Sequence, residues 1–321
     1  MRLLFLLLFS SYLYLQANGH IFVYHRFEDP KHLSTSTSIK QLKNDFEYFK
    51  KHGYKVVPIE DFFEKIKKKK PIPSNWVALT IDDAYKSFYE NALAIFKEYK
   101  YPFALYVYVE ATQKKYGDFM NWEEIKEADK YGTIGLHSYS HPRLPRLLDK
   151  EIQKDTQKAY DIFTKNMGYS PKSYAYPYGE YDARVKNIIK GFGFDGILNQ
   201  STGSVNQYSS NDDIYRIALT GKANLEEKLK YKTFNAQWIE PKEFPKDGIL
   251  KHIKAKVDKN IKHLNLYITG EGWKQIEVKD GIVDEKMRVY LKNSRTRLIL
   301  GQGYYTISNN IIIKQRGKNV K

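Results

Sequence analysis

Two adjacent carboxylates close an apolar run in Trp76-Val77-Ala78-Leu79-Thr80-Ile81-Asp82-Asp83. Side chains alternate along a strand, so neighbouring Asp residues inside one would face opposite ways, and one would be buried at high cost. At the mouth of a site the strand pattern breaks and both can converge, one on a metal while the other stays free as a base. Taken alone, the pair is read more simply as a solvated turn. His137-Ser138-Tyr139-Ser140-His141 adds two imidazoles. A spacing of four sets both on one face of a helical turn. Two His and one Asp make a three-ligand site for Zn²⁺ or a similar cation, with a position left for water. A third stretch, Ser173 to Gly179, ends in Pro177-Tyr178-Gly179. Such a turn can aim a backbone N–H at a developing oxyanion, although it is also ordinary turn chemistry.

The elements around these stretches set where they would lie. His20 to Tyr24 reads as a short apolar strand ending at His25. Ser38 caps a helix with Leu42, Phe46 and Phe49 on one face, and a second helix spans Ile59 to Lys68. The unit then repeats as strand Trp76–Ile81, helix Ser87–Tyr99, strand Phe103–Val109, helix Trp122–Lys130 and strand Thr133–Leu136. Helix Asp149–Met167, strand Ser173–Tyr176, helix Asp182–Phe192 and strands at Gly196–Leu198 and Tyr215–Leu219 follow. Alternating strands and helices imply a parallel sheet with covered faces. Seven or eight such units imply an α/β fold of the (β/α) barrel type, with active residues on loops after the strands. His25, Asp82, Asp83, His137 and Tyr178 all fall at such strand ends. Beyond about Lys230 short alternating runs are separated by Gly270-Glu271-Gly272, Asp280-Gly281 and Asn309-Asn310. They suggest a small antiparallel β-sandwich.

The 321 residues include 53 Lys and Arg against 37 Asp and Glu, for a net charge of +16, and no Cys. Disulfides and thiolate metal sites are thereby excluded. From Gly221 to Lys321 there are 22 basic and 11 acidic residues, so most of the excess lies in the last third. A surface of that sign favours polyanions, anionic membranes or acidic glycans, or is simply solvated. Arg2 followed by the apolar run Leu3 to Leu15, with Ala17-Asn18-Gly19 behind it, reads as a signal peptide cut after Gly19. The organisation expected is a leader over 1–19, a barrel over 20–228 and a β-rich accessory domain over 229–321. The mature chain is expected in the periplasm or outside the cell, with peripheral envelope association open and no oligomeric state assigned.

The three stretches resemble the motifs of the polysaccharide deacetylases, the NodB-like carbohydrate esterases of family four. Thr80-Ile81-Asp82-Asp83-Ala84 is similar to the family's Thr-Phe-Asp-Asp-Gly, and His137 to His141 matches its His-Ser/Thr-x-x-His. Tyr174 to Gly179 resembles its Arg-x-Pro-Tyr-Gly region. The likeness runs from about Ile21 to Leu219. It implies a distorted barrel and a divalent-metal hydrolase that removes acetyl groups from N-acetylated sugars. By position it makes Asp82 the general base, and Asp83, His137 and His141 the metal ligands. Tyr178 would give its backbone N–H to the oxyanion. Zn²⁺ is the expected cation, with Co²⁺ or Ni²⁺ as alternatives.

Departures from the family pattern matter as much. Ala84 stands for Gly, and Ala175 stands where the family has the Arg that orients its base. No Trp near Phe194-Asp195 matches the fourth motif. The late Leu-x-His motif is missing, because the only histidines after His141 are His252 and His263. With Val23-Tyr24-His25-Arg26, these departures are similar to the branch that includes poly-N-acetylglucosamine deacetylases. His25 is expected either to replace the missing acid or only to hydrogen-bond in the barrel mouth. Asp195 and Arg216 also fall near strand ends, where a structural ion pair is the simpler expectation. Peptidoglycan is the rival substrate, and an O-acetyl ester is a smaller one. A catalytically weak glycan-binding or assembly protein is the reading from another class. Nucleic-acid binding rests on charge alone. The β-rich tail is expected to be a glycan module, a docking domain or a support, with Trp238, Trp273, Tyr290, Tyr304 and Tyr305 either stacking on sugars or filling a core.

Overall fold

A computed structural model describes residues 18–315. The first half alternates strands and helices. It begins with β1 (His20–Tyr24), a short parallel pair β2 (Arg26–Phe27) and β3 (Ser36–Thr37), α1 (Ile39–Lys51), β4 (Lys55–Val56) and α2 (Ile59–Lys67). Next come β5 (Trp76–Asp83), α3 (Leu93–Tyr99), β6 (Ala104–Val107), α4 (Val109–Gln113), α5 (Trp122–Asp129) and β7 (Thr133–Leu136). Then α6 (Asp149–Met167), β8 (Ser173–Ala175), α7 (Ala183–Lys190), β9 (Gly196–Leu198), β10 (Ile217–Ala218) and α8 (Leu225–Lys228) complete it.

The parallel strands run in the order β10-β1-β5-β6-β7-β8-β9, with β4 added beside β5. The two ends of this path meet through one irregular segment. Ile214 bridges to Leu198 of β9, and three residues later Ile217 pairs with Phe22 of β1. The result is a distorted, incompletely closed barrel. All five residues of β1 are buried, as a strand covered on both faces requires. Along β5 the side chains divide with period two. Val77, Leu79 and Ile81 pack with Phe46, Phe96 and Phe163 of the surrounding helices. Ala78 packs with Tyr106, Ala175 and the α2 residues Phe62 and Phe63 inside. The interior strand positions are small where a large neighbour must fit: a Cβ on Gly135 would lie 2.4 Å from the Tyr106 ring.

The second half carries β11 (Lys232–Thr233), β12 (Gln237–Glu240), β13 (Ile249–Lys256), β14 (His263–Ile268), β15 (Gly272–Glu277), β16 (Ile282–Tyr290), β17 (Arg295–Gln302) and β18 (Thr306–Ile313). They form a five-stranded sheet, β11-β18-β17-β14-β15, and a three-stranded one, β12-β13-β16. Pairings are antiparallel except β11 with β18. Leu250, Ile253, Leu266, Ile276, Val283, Leu298 and Leu300 fill a core of their own. Trp238 packs against it and donates to Ser308, while Trp273, Tyr290 and Tyr304 are exposed.

The fold class expected from the sequence, a distorted barrel followed by a β-sandwich, is the one observed. Helix α6 and strands β7 and β9 have the boundaries expected for them. The helix expected over Ser87–Tyr99 opens instead with a wide π-type turn, Phe88–Ala92. Most of the expected leader lies outside the described residues. Asn18 and Gly19 do not. Gly19 exchanges backbone hydrogen bonds of 2.9 and 2.8 Å with Val205, and Asn18 accepts from Ser204 and Asn206. A cut after Gly19 would remove two residues that the barrel uses.

Candidate active site

The site lies where β5, β7 and β8 end. Asp82 occupies an interior position of β5 and is fully buried. Arg216, also fully buried, reaches it as a fork, with Nη1 to Oδ1 at 2.7 Å and Nη2 to Oδ2 at 2.8 Å. The same guanidinium donates to Thr80 Oγ1 at 3.0 Å and to the Asn199 carbonyl at 2.8 Å. Gln200 Nε2 adds a longer bond of 3.2 Å to Asp82 Oδ2. Burial pushes the Asp82 carboxyl up, but Arg216 and His137 outweigh it, and the net pKa lies below the ordinary value. Asp82 is therefore an ionised acceptor held rigidly in the barrel mouth, and it is free to take a proton.

Asp83 would face away from Asp82 in a regular strand. It has φ 72°, and Ala84 after it has φ 57°, so the chain turns and brings the second carboxylate to the same mouth. His137 follows β7, and its Nδ1–H donates to the Ala175 carbonyl at 2.7 Å. That bond fixes the tautomer and leaves Nε2 as a bare lone pair. Burial lowers the His137 pKa to about 4, so the ring is neutral. His141 Nε2 lies 3.2 Å from His137 Nε2 and 3.2 Å from Asp83 Oδ1, and His137 Nε2 lies 3.5 Å from the same oxygen. Asp83 Oδ1 is buried and lacks a hydrogen-bond donor among the described residues. Three ligand atoms thus converge on one point without protons enough to satisfy them. Their separations fit the tetrahedral edge of about 3.3 Å set by bonds of about 2.0–2.1 Å to Zn²⁺. Asp83, His137 and His141 fit a divalent cation.

The loop that carries His141 is not the helical turn expected from the spacing of four. Ser138 and His141 have φ 65° and 50°, and no helix covers them. The two rings converge because the loop is folded back on itself. Ser138 Oγ accepts from the His141 amide at 3.0 Å. Asp155 of α6 accepts from the amides of Tyr139 and Ser140 at 2.9 and 3.0 Å.

Tyr178 sits in a tight turn, Pro177–Gly179, with φ 59°. Gly179 has φ 64°, and a Cβ there would lie 2.6 Å from the Gln200 amide nitrogen, so glycine is required twice over. Within the turn the amides of Gly179 and Glu180 donate to Tyr176 and Pro177. The Tyr178 amide has no acceptor among the described residues. Its ring packs 4.5 Å from that of His141 and 4.3 Å beneath the Arg143 guanidinium. Five of the ten non-glycine residues with positive φ among the described residues, Asp83, Ala84, Ser138, His141 and Tyr178, lie at this site. Strain gathered in one place marks a geometry that the surrounding fold enforces.

Asp82, Asp83, His137, His141 and Tyr178 lie together at this mouth. His25, at the end of β1, is half-buried, and its Nδ1 has no partner among the described residues. It follows β1, which lies beside β5 in the sheet, so it stands at the same end of the barrel as the two carboxylates. Asp195 does not reach the site: it precedes β9, is exposed, and its amide donates to Lys172. Arg216 forms an ion pair, and the pair is with Asp82 itself. His252 and His263 are in the sandwich strands β13 and β14. Gln200, Asp155 and Arg143 went unread in the sequence. No motif carried them, because each acts from a different element.

A buried carboxylate held by arginine stands beside three side chains, Asp83, His137 and His141, able to hold a cation, at the open end of a parallel barrel, an arrangement suited to hydrolysis. Residues 69–197 match the sequence profile of the family described as polysaccharide deacetylase. That match lies within the barrel and takes in Asp82, Asp83, His137, His141 and Tyr178. The chain is 29% identical over 219 residues to the poly-beta-1,6-N-acetyl-D-glucosamine N-deacetylase of Staphylococcus aureus strain MSSA476, covering 64% of this chain and 74% of that protein. The protein of the same description from Escherichia coli K12 is 24% identical over 258 residues, which is 65% of this chain and 38% of that one. Among solved structures, the Streptococcus pyogenes deacetylase PplD in complex with acetate superposes with a TM-score of 0.62 at 18% identity, over 67% of this chain and 98% of that one. IcaB from Ammonifex degensii gives 0.58 at 22% identity, over 64% and 92%. These structures share the barrel fold.

Proposed function

We propose that the protein is a divalent-cation-dependent N-deacetylase of an exported poly-N-acetylglucosamine-like glycan. The observation that carries this reading is the pairing of a forked, ionised Asp82 with three converging ligand atoms next to it. The names of the S. aureus and E. coli relatives support the glycan. The signal-peptide pattern of the first residues supports export.

Asp83, His137 and His141 would hold the cation, with Zn²⁺ favoured by the two imidazoles and one carboxylate. Bound there, such a cation acidifies water and polarises a carbonyl oxygen. The chain's own residues do the rest. Asp82 accepts a proton from the water that attacks the acetyl carbonyl carbon. The Tyr178 N–H, which has no acceptor among the described residues, donates to the oxyanion that develops on the carbonyl oxygen. Collapse breaks the C–N bond, and the amine leaves with a proton. His25, whose buried Nδ1 has no partner among the described residues, would give it. The products are acetate and a free amino sugar.

Loss of the family's usual arginine does not make this a binding protein. Arg216, the residue just before β10, reaches the base and holds Asp82 on both oxygens. The test of the acid is His25→Ala. Cation content should stay at the wild-type level while turnover falls by about 10²-fold. Unchanged turnover would remove His25 from the mechanism.

A further inference from the structure

The sandwich meets the barrel loops at the turn that carries Tyr178. Glu180, the residue after that turn, has a side chain only 1% exposed. Two cations face one of its oxygens. Arg143, from the loop after β7, forms the hydrogen bond, and Arg295, the first residue of β17, stands 3.9 Å away. The other oxygen is buried with no partner among the described residues. Arg143 is the same residue whose guanidinium lies over the Tyr178 ring. The neighbouring contacts repeat the pattern. Ser294 accepts from Arg146 at 3.0 Å, and Gln315 donates to Asp182 at 3.1 Å. The sandwich therefore touches the loops after β7 and β8, one carrying His141 and the other Tyr178.

We propose that Arg295 is a positioning residue for the deacetylation reaction: with Arg143 it clamps Glu180 and so fixes the turn that presents the Tyr178 amide. A carboxylate taken out of water must be compensated by nearby cations, and removing one partner leaves it poorly satisfied. Here that carboxylate is adjacent to the oxyanion donor. Without Arg295, Glu180 has Arg143 alone. Arg143 must then follow Glu180 as it shifts, and the Tyr178 ring follows Arg143. A displacement of the donor costs transition-state stabilisation and leaves ground-state substrate binding nearly untouched. This inference rests on the reading of Tyr178 as the oxyanion donor. It gives the sandwich a role that needs no sugar contact.

The experiment compares full-length, cation-loaded wild type with Arg295→Gln, Arg295→Lys and the exposed neighbour Lys292→Gln. Two quantities are read: kcat and KM for acetate release from β-1,6-linked N-acetylglucosamine oligomers, and amide hydrogen exchange over residues 177–181. Arg295→Gln is expected to lower kcat roughly tenfold, less than the 10²–10³ of deleting a donor outright, with KM within about twofold. Exchange over 177–181 should quicken. Arg295→Lys should recover part of both, and Lys292→Gln should match wild type. If Arg295→Gln does not fold, Arg295→Lys carries the test with the same signs and smaller size. Wild-type kcat and exchange in a folded Arg295 variant would overturn the proposal, as would a rise in KM alone. Quickened exchange with no acetate release by wild type would sink the deacetylase reading and leave the clamp standing.

Discussion

At the residue scale the centre of the molecule is the contact between Arg216 and Asp82. A forked guanidinium holds both oxygens of a carboxylate that is entirely out of water. Asp82→Asn should keep the fold and the cation site, yet cut acetate release by about 10³-fold or more, as removal of a proton acceptor does. Arg216→Lys keeps a charge but loses the fork. Because Arg216 holds the Asp82 pKa below its ordinary value, weakening that hold raises it. The acid limb of the kcat/KM profile should then move to higher pH, and an unmoved limb would separate the two residues. The Asp pair, both histidines and the Tyr178 turn were legible in the sequence because each sits in a contiguous motif. Arg216 was visible only as a basic residue near a strand end. Its partner is 134 positions away, and the closure of the sheet brings them together.

At the element scale, helices hold the loops that hold the site. Asp155 on α6 caps the amides of Tyr139 and Ser140, between the two histidines. Asp155→Ala should lower cation affinity about 10- to 100-fold, the range seen when the groups behind metal ligands are lost, with Asp83, His137 and His141 intact. Isothermal titration with Zn²⁺ would measure it. Helix α1 carries a different feature. Burial raises the Asp45 pKa to about 7, against the lowering effect of its hydrogen bond from Gln41. A pKa raised in the folded state means stability that is present below about pH 4 and is lost as pH rises through about 7. Asp45→Asn should flatten that loss and add about 1–3 kcal/mol at pH 8, read from urea unfolding at several pH values. The elements themselves were legible where periodicity was strong, as in α6 and β7. The His137–His141 loop was not: a spacing of four suits a helix, but left-handed residues at Ser138 and His141 fold the loop another way.

At the scale of the whole molecule, a barrel and a sandwich share one working face. The sandwich supplies Arg295 to the Glu180 clamp, and Asn309 donates to the Thr202 carbonyl at 2.7 Å. A chain ending near Lys230 should therefore lose most of its turnover even on short oligomers, where no extended glycan surface is engaged. Full activity of such a soluble truncation would show the sandwich to be dispensable. Alternating strands and turn signals made the sandwich legible, whereas its docking on the barrel was not. That docking rests on single contacts such as Arg295 to Glu180, which leave no periodic trace.

The most direct measurement is acetate release by the protein from β-1,6-linked and β-1,4-linked N-acetylglucosamine oligomers and from peptidoglycan fragments, with and without chelator and beside Asp82→Asn. Release from the β-1,6-linked oligomers that chelator abolishes, that added Zn²⁺ restores and that Asp82→Asn lacks is the predicted result. Release from peptidoglycan alone would keep the mechanism and change the glycan. No release from any substrate by folded, cation-loaded protein would contradict the account at its centre.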